Sequence, residues 1–276
     1  MTTARELKDL LAGLGLHPSR RLGQNFLVDG NLLDAMLRDA NPRPGERVLE
    51  VGPGTGILTR RLLAAGCTVT AVELDRRLAA YLRESLAGES GFRLIEGDAC
   101  RTDYAGLFGD APFRCIANLP YACSSVFLAA MASLANAPTD LHVLLQREMA
   151  DRLAAEPGSG DYGALTVRVR LRYSVRLVRP VPPQVFWPPP EVASAFVRLE
   201  RHDAAGPAAL RALAGELAGI AFSQRRKKAG KVLSERLGGS AAAGRIFAAA
   251  GLSPEARAEQ FSPADFRRLA ACLQTQ

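Results

Sequence analysis

The chain has 276 residues, 48% of them hydrophobic, with a mean hydropathy of +0.01; this suits a soluble globular protein of one larger domain with a smaller one and argues against disorder. No apolar run is long enough to span a bilayer, and Met1-Thr2-Thr3-Ala4-Arg5-Glu6 lacks the apolar core of a secretory leader, so a cytoplasmic protein without a membrane partner is expected. The net charge of +7 is unevenly placed: residues 1–150 carry 16 Lys and Arg against 17 Asp and Glu, and residues 151–276 carry 19 against 11.

In chain order, Arg5–Leu16 is amphipathic and predicts a helix ending near Gly13, Gly15 and Pro18. A basic, glycine-containing stretch follows, Arg20-Arg21-Leu22-Gly23-Gln24-Asn25-Phe26-Leu27, and then a helix from Asp29 to Ala40 closed by Asn41-Pro42 and Pro44-Gly45. Strands and helices then alternate. Strands are predicted at Val48–Val51, Val69–Leu74, Phe92–Ile95, Phe113–Ala117 and Leu141–Leu145, and helices at Leu58–Ala65, Leu78–Leu86 and Arg147–Ala154. Apolar strands separated by helices imply an α/β class with a mostly parallel sheet covered on both faces. After the Pro157–Gly160 loop, Leu165–Tyr173 alternates apolar residues with Arg168, Arg170 and Arg172, a period that argues strand. Ser174–Val181 and Ser194–Leu199, joined by the Pro-rich Pro182–Pro190, predict an antiparallel edge. Composition changes at Arg201–Pro207, and from there to Gln276 the chain is Ala-, Leu- and Arg-rich and helical in pattern, which predicts domains at 1–200 and 201–276, the second small and all-α.

Asn118-Leu119-Pro120-Tyr121, just after an apolar run, carries the most chemical information. An aromatic amine is a poor nucleophile because its lone pair is delocalised into the ring. An Asn side-chain oxygen and a following backbone carbonyl can each accept one amine hydrogen and draw that lone pair out, while Tyr offers a face for the base. Upstream, Gly52-Pro53-Gly54-Thr55-Gly56 lies between a strand and a helix, where glycines permit tight turning and close approach of a ligand. Glu73 ends the next strand about 20 residues on, where a ribose-binding acid belongs. A dinucleotide would suit both features. The GxGxG spacing and a further carboxylate at Gly97-Asp98 favour S-adenosylmethionine. All four segments fall at carboxyl ends of parallel strands, the edge where such sheets bind ligands.

Cys67, Cys100, Cys115, Cys123 and Cys272 form no CxxC pair, and the three histidines lack metal-ligand spacing, so reduced packing cysteines and no metal site are expected. Three of the four lysines, Lys227, Lys228 and Lys231, sit with Arg225 and Arg226 in seven residues, a density suited to the phosphates of a polyanion.

With these segments in place the chain resembles, nearly end to end, the ribosomal small-subunit RNA adenine dimethyltransferases, which share a methyltransferase fold with the erythromycin-resistance methylases. The resemblance is carried by Gly23–Leu27, Glu50–Gly56, Val72–Asp75, Gly97–Ala99, Asn118–Tyr121, Gln146–Leu153, Tyr162-Gly163, Pro183–Val192, Ala221–Lys227 and Arg257–Glu259. It implies a Rossmann-like S-adenosylmethionine-dependent methyltransferase with a small helical RNA-binding domain. It further implies transfer of methyl groups to the 6-amino groups of two adjacent adenines in a small-subunit rRNA hairpin, within an assembling 30S-type particle, by a monomer. Under the resemblance Asn25, Leu27, Gly52, Gly54, Glu73, Asp98 and Asn118 bind the donor, with Glu73 on the ribose hydroxyls and Asp98 on the adenine amine. Asn118, with a carbonyl at Leu119 or Pro120, holds the target amine, and Tyr121 and Phe186 stack the flipped base. Arg225, Arg226, Lys227, Lys228 and Lys231 are expected to hold RNA phosphates through their charge. For Leu165–Tyr173 the resemblance implies a helix running into a strand, against the period. Ala122-Cys123-Ser124-Ser125 departs from the usual pattern in the wall of the target pocket, and Lys228-Ala229-Gly230-Lys231 keeps the charge but not the usual side chains, so specific RNA contacts there do not carry over. The competing readings are a large-subunit adenine methylase, a non-catalytic RNA-binding factor and an NAD-dependent oxidoreductase.

Overall fold

The computed structural model describes residues 4–19, 22–202 and 206–275. Met1 to Thr3 of the opening segment, Arg20 and Arg21 of the basic stretch, Asp203 to Ala205 of the composition change and Gln276 lie outside the described residues. In chain order the elements are α1 (Ala4–Gly13), β1 (Phe26–Leu27), α2 (Gly30–Ala40), β2 (Arg47–Val51), α3 (Ile57–Ala64), β3 (Thr68–Glu73), α4 (Arg76–Ser85), β4 (Phe92–Glu96), β5 (Arg114–Asn118) and α5 (Ser124–Ser133). They continue with β6 (Asp140–Gln146), α6 (Arg147–Ala154), α7 (Ala164–Arg170), β7 (Tyr173–Val181), β8 (Phe186–Trp187), β9 (Ser194–Arg201), α8 (Ala208–Ser223), α9 (Ala229–Leu233), α10 (Ser240–Ala249) and α11 (Pro263–Gln274).

Two compact units emerge. The first comprises Met1–Phe127, Asn136–Ala150 and Arg176–Glu200. It is built on a seven-stranded sheet in the order β4-β3-β2-β5-β6-β9-β7. Strands β4 to β6 are parallel and β9 runs antiparallel to β6, which gives the predicted mostly parallel sheet with an antiparallel edge. The parallel strands carry apolar residues on both faces because helices cover both: Val48, Leu49 and Val51 of β2 and Leu141 to Leu145 of β6, apart from His142, are fully buried apolar positions. Side chains of α2 and α3, Leu33, Met36, Leu58 and Leu62, join Val48, Val69, Ile116 and Phe196 in one cluster. Truncating Leu62, which has no exposed surface, costs roughly 2–5 kcal/mol. At the amino edge of the sheet, Arg114 at the start of β5 binds Glu46 and Asp140, each at 2.8 Å.

The second unit comprises Leu128–Ala135, Asp151–Val175 and Arg201–Gln276. The predicted single cut at residue 200 is therefore corrected: the helical unit draws in two earlier segments. Val167 and Leu171 belong to the same buried cluster as Ala214, Leu217, Ala218, Phe247 and Phe266, so α7 is part of this core. Leu165–Tyr173 is likewise not one strand. Gly163 and Thr166 start a helix, with Gly163 N–H donating to Thr166 Oγ1 at 3.2 Å and that hydroxyl donating to the Arg152 carbonyl at 2.7 Å. Only Tyr173 onward is extended. The alternation of arginines with apolar residues mimics a strand, and packing overrides it. Helix α5 has no counterpart among the sequence expectations. Val126 to Met131 leave it no polar stripe to betray a helical period.

Candidate active site

The carboxyl ends of β2, β3, β4 and β5 open on a cavity of about 250 Å³. The loop after β2 bends through Gly52, Gly54 and Gly56, all at positive φ. A Cβ on Gly52 would stand 2.8 Å from Pro120 Cγ, and one on Gly54 would stand 3.1 Å from the Phe26 ring. Glycine is thus required both by the turn and by close approach of the loop to β1 and to the Asn118–Tyr121 turn. From this loop Gly54 N–H donates to Glu73 Oε2 at 3.1 Å, and Asp75 N–H donates to Glu73 Oε1 at 2.9 Å. Burial pushes the Glu73 carboxyl up to about 7 against these two bonds.

Beneath it lies Glu50, 2% exposed, which accepts a hydrogen bond from Thr59 Oγ1 at 2.7 Å. Burial pushes its carboxyl up to about 8, the Thr59 bond opposing and the Glu73 charge adding. No motif in the sequence gives Glu50 a role, although an acid inside the apolar Val48–Val51 is a signal of one. Asp98, just past β4, accepts from Cys100 N–H at 2.8 Å and lines the cavity.

Asn118, the last residue of β5, donates from Nδ2 to the Asn25 carbonyl oxygen at 3.1 Å. A carbonyl only accepts, so the amide nitrogen belongs on that side and Oδ1 is left as the acceptor for another donor. The Pro120 carbonyl already accepts from Cys123 N–H at 3.1 Å, Cys123 Sγ at 3.3 Å and Ser124 Oγ at 3.1 Å. Of the two carbonyls open to the sequence reading, Leu119 is the one not consumed by this turn. In the divergent Ala122–Ser125 run, the Cys123 thiol and the Ser124 hydroxyl close the turn on Pro120. Burial pushes the Cys123 thiol up to about 12, which keeps it a neutral donor. Tyr121 lines the cavity with its hydroxyl 2.6 Å from Ser194 Oγ.

Asn25, Leu27, Gly52, Gly54, Glu73, Asp98, Asn118, Leu119, Pro120 and Tyr121 therefore share one cavity. Phe186 is not among the residues that line it. It is 2% exposed and packs with Leu27, Val181 and Phe196. The Pro-rich segment looks like an open loop in sequence, but β8 pairs with β1 in the register Leu27↔Phe186 and Phe26↔Trp187, and this pairing buries the ring. Phe186 thus anchors the strand that follows Asn25.

In the helical unit the five basic residues separate. Arg225 is committed internally: Nε lies 2.6 Å from Glu259, and its other nitrogens donate to the Gly160 and Ser159 carbonyls at 2.7 and 2.9 Å. These bonds tie it to the protein while 38% of its side chain stays exposed. Lys228 pairs with Glu255 at the exposed surface. Arg226, Lys227 and Lys231 are exposed.

Among the described residues, all five cysteines are free, no group of three or more His, Cys, Asp and Glu side chains could hold a metal ion, and no helix is long and apolar enough to cross a membrane.

Comparison with known proteins accords with this geometry. The chain is 39% identical over 254 residues to a ribosomal RNA small subunit methyltransferase A from Chromobacterium violaceum, covering 92% of this chain and 94% of the relative. A crystal structure of a dimethyladenosine transferase from Plasmodium falciparum superposes with a TM-score of 0.71 at 25% identity, over 88% of this chain and 95% of that one. The 23S rRNA methyltransferase ErmE superposes with a TM-score of 0.65 at 26% identity, over 91% of this chain and all of that one. The description ribosomal RNA adenine dimethylase fits residues 16–275, and the chain, with its glycine loop, paired acids and Asn-Leu-Pro-Tyr turn, belongs to that family.

Proposed function

We propose that the chain transfers methyl groups from S-adenosylmethionine to the 6-amino groups of two adjacent adenines in a hairpin of small-subunit rRNA, giving N6,N6-dimethyladenines. It acts as a monomer in the cytoplasm, on a 30S-type particle during assembly. The observation that carries this reading is the orientation of Asn118, whose nitrogen is held by the Asn25 carbonyl so that Oδ1 is available to a donor.

The residues fit the donor. The glycine loop is a cradle that added side chains would fill, and the Glu73 carboxylate sits beside it with lone pairs left over from two backbone bonds. Glu73 takes the ribose hydroxyls, Asp98 the adenine amine, and Asn25, Leu27, Gly52 and Gly54 surround the remainder. Bound there, S-adenosylmethionine supplies an electrophilic methyl group.

The chain's own residues prepare the nucleophile. Asn118 Oδ1 and the Leu119 carbonyl each accept one hydrogen of the target amine, which localises the lone pair on nitrogen without a strong base. Tyr121 offers the flipped base a face, and alignment supplies much of the rate. A monomethylated amine retains one hydrogen, so one of the two acceptors suffices for the second round. Arg226, Lys227 and Lys231 hold RNA phosphates, with Lys228 exchanging Glu255 for a phosphate.

Purified chain with labelled S-adenosylmethionine should methylate small-subunit particles lacking the modification, at two neighbouring adenines. Label appearing only in large-subunit particles would move the assignment to the ErmE-like activity, and retention of NAD in place of S-adenosylmethionine would end it.

A further inference from the structure

Tyr121 is, with Phe26, one of the aromatic residues lining the cavity, and its orientation is settled by a residue 73 positions away. Ser194 opens β9, pairs with Gln146 at the end of β6 and has no exposed surface. Its neighbours Ala195, Phe196 and Val197 are buried apolar residues. A hydroxyl in such surroundings costs free energy unless it is hydrogen-bonded, and the partner of this one is the Tyr121 hydroxyl at 2.6 Å. That hydroxyl is at the far end of the ring from Cα. A ring held at both ends of its long axis cannot swing aside about χ1. The strand end that carries Ser194 is itself fixed, because Arg147 N–H donates to the Ala193 carbonyl at 2.9 Å.

We propose that Ser194 is a positioning residue for methyl transfer: by holding the Tyr121 hydroxyl it keeps the ring as a standing wall, so that an adenine stacked on it brings its amine to Asn118 Oδ1 and the Leu119 carbonyl together. This rests on the reading of the cavity as an adenine methylation site. Ser194 touches neither the base nor the donor and acts through Tyr121 alone. A base stacked on Tyr121 takes its alignment from that ring, and misplacement by about 1 Å is enough to lower turnover up to 100-fold.

The bond is removed from one side by Ser194→Ala and from the other by Tyr121→Phe, which leaves the buried serine untouched. Each is expected to lower kcat on small-subunit particles roughly ten- to hundred-fold, with S-adenosylmethionine affinity at the wild-type value. The double variant should fall no further than the weaker single, because both delete one interaction. Ser194→Cys, whose sulfur can still accept from the phenol, should recover part of the rate. In NMR spectra of protein with 13C-labelled tyrosine rings, the Tyr121 signals should shift and broaden in Ser194→Ala. Wild-type turnover reports on the cavity reading itself, whereas the ring signals report on Ser194 with or without turnover. Unchanged Tyr121 signals in Ser194→Ala, wild-type kcat in that variant, or losses that multiply in the double variant would each overturn the proposal.

Discussion

At the ends of β2, β3 and β5 the polar groups are few and buried or half-buried, and each has an assigned partner: Glu50 with Thr59, Glu73 with Gly54 and Asp75, Asn118 with Asn25. Along residues 225–231 the charges are many and mostly exposed, and Arg226, Lys227 and Lys231 make no ion pair among the described residues. Buried groups act through geometry, because an unmade hydrogen bond in a dry site costs its full desolvation. Exposed cations act through number, because salt screens them and a phosphate accepts whichever is near. One region should therefore fail on single substitutions and the other only on several. Arg225 shows the contrast inside one segment, since its three internal bonds place it with the geometric group.

The strongest way to break this comparison is Asn118→Ala, which removes the oriented acceptor. Methyl transfer should fall by about 100-fold or more with donor affinity changed by only a modest factor, as single-turnover assays and calorimetry would show. A fully active variant would remove the geometric account of the cavity. Next is Gly52→Ala, which adds a methyl group at φ +68° and 2.8 Å from Pro120 Cγ. Strain of about 1–3 kcal/mol should appear, as a lower melting temperature and donor binding weakened roughly tenfold or more.

Glu50→Gln sharpens the same region through pH. Burial raises the folded-state carboxyl from 4.5 to about 8, so the folded protein holds this proton more tightly than the unfolded chain. Its contribution to stability is full below about 4.5 and is lost as pH rises through about 8. Melting temperature should therefore fall between about pH 5 and pH 9 in the wild type, and Glu50→Gln, which still accepts from Thr59, should flatten that fall. A wild-type slope left intact in the variant would show that Glu50 is not its source.

The smallest effects belong to the basic segment. Replacing Arg226, Lys227 and Lys231 together by Gln should flatten the dependence of log affinity for small-subunit RNA on log salt by roughly 2 and leave donor affinity alone. Arg225→Gln should do the reverse, lowering stability by about 1 kcal/mol while the salt slope stays. Equal slopes for the two variants would erase the distinction between internal and solvent-facing cations.

The glycine loop, Glu73, Asp98 and Asn118–Tyr121 were legible in the chain because a strand followed by a helix delivers its last residue to the same sheet edge however the core is packed. Elements whose pattern conflicts with their packing were not. α5 is apolar on all sides, and α7 alternates like a strand while burying Thr166, Val167 and Val169, with Val167 in the helical core. Phe186 looked like an open-loop aromatic because two-residue pairing between β8 and β1 has no periodic signature. Glu50 was visible as an acid among Val48, Leu49 and Val51, but its depth was not.

The sequence by itself determined the class of chemistry and the order in which the parts meet, since both follow from residue types at strand ends. Tertiary structure decided which atoms are left to act. The direction of the Asn118 amide depends on Asn25, 93 residues away, and the spending of Arg225 on Glu259 depends on a short 3-10 turn 34 residues away. The choice of the Leu119 carbonyl over that of Pro120 depends on how the Cys123 and Ser124 side chains fold back on the turn. A hydrogen bond holds over about 3 Å, and the spacing of residues along a chain does not reveal which distant groups come that close.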